Sequence, residues 1–128
     1  MTRFSRLLSA WGEFVSSDHF AERFAAVRER FAAKLDARID EIEAAVPQLG
    51  TGTALDAIER VHRRAHDLCG IGPTMGFVAT GQVARTVERI LLEPLKAERA
   101  LTTDELARLR QEIVALRSAA HAETQNQK

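Results

Sequence analysis

The chain has 128 residues, the size of one domain, and its 18 Lys and Arg cancel its 18 Asp and Glu. That balance excludes the net positive field with which nucleic-acid binders neutralise phosphates, and no apolar run approaches the ~20 residues of a membrane span. With three prolines, no tyrosine and β-branched residues scattered singly, strands have little to form from, so the expected class is all-α.

In chain order, Phe4, Leu7, Leu8, Trp11, Phe14 and Val15 recur at helical spacing and predict a short amphipathic helix within residues 1–17, a lid or a partner surface. Arg3 and Arg6 precede it without the apolar core and cleavage site of a signal peptide. Ser16, Ser17 and Asp18 offer caps for the next helix. That helix carries Phe20, Phe24, Val27, Phe31, Leu35, Ile39, Ile42 and Val46 on one face, the aromatics as core, and should end at Pro47 and Gly50. So regular a seam also suits a coiled coil. A monomer is expected, with dimerisation through this seam left open.

Thr53 is the predicted N-cap of a helix with Leu55, Ile58, Val61, Ala65 and Leu68 inward. A further helix starts near Phe77, presents Ala84, Val87, Leu91 and Leu95, and kinks or stops at Pro94. Thr102 and Glu105 have capping-box spacing ahead of Leu106, Leu109, Ile113 and Leu116. Residues 124–128 are polar and expected to be disordered. Short connections favour antiparallel neighbours. The predicted architecture is therefore an antiparallel up-and-down four-helix bundle over residues 18–123, with the N-terminal helix packed across one end.

The chemistry gathers in one run, Ala65-His66-Asp67-Leu68-Cys69-Gly70-Ile71-Gly72-Pro73-Thr74-Met75-Gly76-Phe77. At ~100° per residue His66 lies roughly 100° from the centre of its helix's apolar stripe, on the border of the buried face. His62 lies nearer the core. Glycine inside a helix costs about 1 kcal/mol against alanine, so Gly70, one turn beyond His66, needs a reason. Either it leaves the imidazole edge open to a bulky visitor, or it merely ends the helix before Pro73. No glycine-rich phosphate loop or nucleotide motif is present. His62, His66 and Cys69 at i, i+4 and i+7 are zinc-compatible residue types, but no fourth ligand is evident and no metal site is expected.

This run resembles the signature of histidine-containing phosphotransfer (HPt) domains: a histidine, an apolar residue two positions on, glycine at four, glycine at ten and an apolar residue next. His66, Leu68, Gly70, Gly76 and Phe77 supply these. The family usually has lysine at the position of Cys69, so a cation is missing there. The resemblance implies a phosphorelay carrier, with His66 the phosphoacceptor and no enzymatic turnover or cofactor of its own. Partners would be response-regulator receiver domains, which supply the phosphoaspartate and Mg2+, with a hybrid histidine kinase a candidate donor. Partner-facing or supporting roles fall to Arg63, Cys69, Gly70, Gly76, Gly81, Ala84 and Glu88. Small residues at 81 and 84 would leave room beside the acceptor, and Glu88 would orient the imidazole or simply be solvated. Arg63 and Arg64 either attract an acidic receiver surface or solvate the helix. The lone cysteine permits no internal disulfide and fits a reducing cytoplasm. A free-standing cytoplasmic module in two-component signalling is expected. The rival class is a non-catalytic helical adaptor that binds receivers or kinases, or dimerises, without being phosphorylated.

Overall fold

A computed structural model describes residues 18–52 and 54–127, and the helix expected within residues 1–17 lies outside them, as does Thr53. Among the described residues there are four helices: α1 (Asp18–Leu49), α2 (Leu55–Thr74), α3 (Val78–Lys96) and α4 (Thr103–Asn126). The chain divides into two compact units, residues 1–33 and 34–128, with the division inside α1. In the first unit Phe20, Phe24 and Val27 are exposed and Phe31 is buried, so two of the three aromatics expected in the core are not there. Phe20 and Phe24 stack on each other, and the Arg28 guanidinium lies 5.3 Å from the centre of the Phe24 ring.

The second unit is a bundle whose topology can be read from its pairings. Along α1, Glu41 meets Arg64 and Gln48 meets Arg60, so α2 runs antiparallel to it. His66 meets Glu88 across α2 and α3, and Thr80 meets Glu123 across α3 and α4. Asp36 meets His121, Asp40 meets Arg117, and the Leu49 carbonyl accepts from the Leu101 amide, so α4 returns antiparallel to α1. Up-and-down connectivity thus closes on itself. Inside lie Leu35, Ile39, Ile42, Leu49, Ile58, Leu68, Phe77, Leu91, Leu109 and Leu116, each less than 2% exposed. Burial of such a side chain is worth ~1.5–3 kcal/mol, far more than the propensity of any one residue.

Pro47 and Pro94 sit within the last turns of α1 and α3, which end two residues further on, α1 directly before Gly50, as the sequence leads one to expect. The N-cap position of α2 is Ala54, with no side-chain cap. Gly70 does not end α2, which continues through Gly72 and Pro73 to Thr74. Beyond the C-cap Met75 the chain turns away at Gly76, whose φ of +87° is a left-handed conformation that glycine adopts without penalty. The Gly76 amide donates to Pro73 O and the Phe77 amide to Gly72 O, a Schellman pattern with buried Phe77 behind it.

Residues 124–126, within the stretch expected as a tail, are the last residues of α4, which reaches Asn126. Glu123 ties it to α3, its carboxylate accepting from the amides of Ala79 and Thr80 and from Thr80 Oγ1, at 3.0, 2.7 and 2.7 Å. Phe77 cannot cap α3, so a carboxylate from another helix satisfies those free N–H groups instead. Gln127 adds a hydrogen bond to the Gly76 carbonyl.

Candidate functional site

α2 and α3 approach closely because their contact is built from small residues. A Cβ on Gly81 would come within 2.8 Å of Pro73 Cδ, and one on Gly72 within 3.1 Å of the Phe77 carbonyl oxygen. Gly81 and Ala84 are buried. At Gly81 the absence of a side chain lets α3 pack directly against Pro73 of α2. Gly76 is likewise accounted for by its turn.

Two turns along α3 from Gly81, Glu88 is the side chain that reaches across to α2. Its Oε1 lies 2.8 Å from Nδ1 of His66. A carboxylate can only accept, so the Nδ1 of His66 carries the hydrogen and donates it. The histidine side chain is 68% exposed while Glu88 is 21% exposed. One nitrogen is therefore anchored from the bundle side, and in a neutral ring the lone pair falls to the other, Nε2.

Around the ring the surface is open. Arg63, Asp67, Gly70, Pro73 and Thr74 are all exposed, and a Cβ built on Gly70 would meet nothing within 4 Å. Nothing among the described residues demands a glycine there. Arg63 is engaged with Glu59 on its own helix at 3.5 Å, and Arg64 is turned to Glu41 of α1 at 3.1 Å. Such exposed pairs are worth little and release easily. Cys69 is partly buried with a free thiol. Among the described residues no three His, Cys, Asp or Glu side chains are grouped as a metal would require, so His62, His66 and Cys69 do not come together as a zinc site.

Sequence reasoning placed His62 nearer the core, and its side chain is 22% exposed against 68% for His66. It did not foresee the His62 ring parallel to that of His66, nor its approach to Glu88. The i, i+4 spacing was the available signal. Glu123 had none, since its partners lie more than forty positions away.

An antiparallel helical bundle that holds the His66 imidazole out to solvent beside an open surface at Gly70, its inner nitrogen fixed by a carboxylate from the neighbouring helix, defines a histidine-presenting module. The chain matches the Hpt domain over residues 26–119 and belongs to that family. Hpt domains are phosphotransfer modules of two-component phosphorelays. Neither curated proteins nor solved structures gave a significant match. No helix among the described residues is long and apolar enough to cross a membrane.

Proposed function

We propose that this chain receives a phosphoryl group on Nε2 of His66 from the aspartyl phosphate of a receiver domain and hands it to a second receiver. The observation that carries this reading is the 2.8 Å contact of His66 Nδ1 with Glu88 on an otherwise exposed ring. An imidazole nucleophile needs a lone pair on the attacking nitrogen and a fixed orientation, and the Glu88 contact supports both.

In the forward step the Nε2–P bond forms as the P–O bond to the aspartate breaks, and the aspartate leaves as a carboxylate. The proton stays on Nδ1. The ring becomes a phosphoimidazolium whose positive charge faces the Glu88 carboxylate, so no acid or base of this chain has to move a proton. In the onward step a carboxylate oxygen of the second receiver's aspartate forms the new P–O bond as the P–N bond breaks and its electron pair returns to Nε2. Alignment and charge stabilisation dominate phosphoryl transfer. Mg2+ and the reacting carboxylates belong to the receiver, and this chain contributes the nucleophile and a cleared surface. The open space at Gly70 and the exposed Arg63 are the parts of that surface we assign to docking, with Arg63 exchanging Glu59 for an acidic group on the receiver. The carrier acts as a monomer in the cytoplasm, where phosphorylated receivers are available.

The test is incubation with phosphate-labelled receiver domains. Acid-labile label is expected on the wild type and on His121→Gln, whose histidine pairs with Asp36 away from the site, and none on His66→Gln. Label retained by His66→Gln would move the acceptor elsewhere. Receiver binding with no label at all would make the chain an adaptor.

A further inference from the structure

His62 precedes His66 by one turn of α2, and the two rings lie parallel, 6.5 Å between centroids and 6° between planes. Its Nε2 is buried and has no hydrogen-bond partner among the described residues. That nitrogen stands 3.8 Å from Oε1 of Glu88, the same oxygen that takes the His66 bond. A single carboxylate oxygen is thus flanked by two imidazoles, an inner one and an outer one.

Burying a polar nitrogen without a partner is unfavourable, and an aliphatic side chain would fill the inner slot without that penalty. Glu88 is the acceptor within reach, and moving from 3.8 Å to the ~2.8 Å of a charge-assisted bond takes about one ångström of side-chain motion. We propose that His62 is a positioning residue for the phosphoacceptor. By donating Nε2–H to Glu88 it sets the direction of the carboxylate, which in turn holds the His66 ring and keeps its proton on Nδ1. This inference rests on the reading of His66 as the acceptor for its consequence in transfer, but not for its effect on the ring itself.

Two variants of the full chain separate positioning from packing. His62→Leu fills the slot and cannot donate; His62→Gln keeps an N–H donor of similar reach. Nitrogen NMR of the imidazoles at about pH 8, above the ordinary histidine value, should show His66 as the Nδ1–H tautomer in the wild type and in His62→Gln. In His62→Leu it should shift toward Nε2–H. Phosphoryl uptake from a labelled receiver should fall about tenfold in His62→Leu, equivalent to ~1.4 kcal/mol of barrier, and recover to within about twofold of wild type in His62→Gln. Thermal unfolding checks that both variants fold. Unchanged His66 nitrogen shifts in His62→Leu, or a Gln variant as impaired as the Leu variant, would overturn the proposal. Should the wild type take up no phosphoryl group while the tautomer still responds to His62→Leu, the positioning stands and the acceptor reading falls.

Discussion

Gly70 is the residue at which stability and function are set against each other. It occupies the interior of α2 with a helical backbone and with no neighbour within 4 Å of the place a Cβ would take. Alanine there should stabilise the fold by ~0.5–1 kcal/mol through helix propensity and a less free unfolded chain. It should also slow phosphoryl uptake, since a methyl group would enter the space left for the receiver. Higher thermal stability with slower labelling is the expected pair of results, and unimpaired labelling would remove Gly70 from the docking surface. His66 and Gly70 were legible from spacing alone because both lie on one helix, where ~100° per residue fixes their relation. The contact of Gly81 with Pro73 was not legible, for the complementary reason. Helical spacing says which residues share a face, not which element that face meets.

At the scale of the element, α4 begins as its sequence announces. Thr102 Oγ1 accepts from the Glu105 amide, and the Glu105 carboxylate accepts from the Thr102 amide at 2.8 Å. Thr102→Ala should cost ~1 kcal/mol in denaturant unfolding. The Arg99 guanidinium also bonds both Glu105 oxygens, at 2.8 and 3.2 Å. These Arg99 bonds first, and then those from Thr102, hold the Glu105 carboxyl down at about 2, from an ordinary 4.5. The folded chain therefore binds this proton more weakly than the unfolded chain does. The stabilisation is complete above 4.5 and disappears as the pH falls through about 2. Unfolding curves of wild type and Glu105→Gln should differ at neutral pH and converge across that acid range. A gap that persists undiminished at the acid end would mean the carboxylate charge is not what stabilises the turn. The other helix starts were less legible, because α2 and α3 have no side-chain cap of their own.

At the scale of the whole bundle, ties between elements close the architecture. Arg117 of α4 reaches Asp40, Glu43 and Asp36 of α1 at 2.7, 3.1 and 3.5 Å. Partial burial works against its charge, but the hydrogen bonds to Asp40 and Glu43 outweigh that and hold its pKa above the ordinary value. Glu123 does the corresponding work between α4 and α3, where it is the partner of fully buried Thr80. Glu123→Ala should destabilise by ~1–3 kcal/mol, the cost of buried polar groups left unpaired, with hydrogen exchange rising first at the Ala79 and Thr80 amides. Protection unchanged at those two amides would show that α3 does not depend on the clamp.

The sequence by itself determined the helical class, the four described helices, most of their inward faces and the run around His66, because all of these follow from periodicity, capping chemistry and steric preferences within a few residues. Only the tertiary structure decided that Glu88 meets His66, that His62 flanks the same oxygen, that Gly81 packs against Pro73, and that Glu123 satisfies the first amides of α3. Those depend on which faces meet across the bundle, and the meeting is set by packing between residues far apart in the chain.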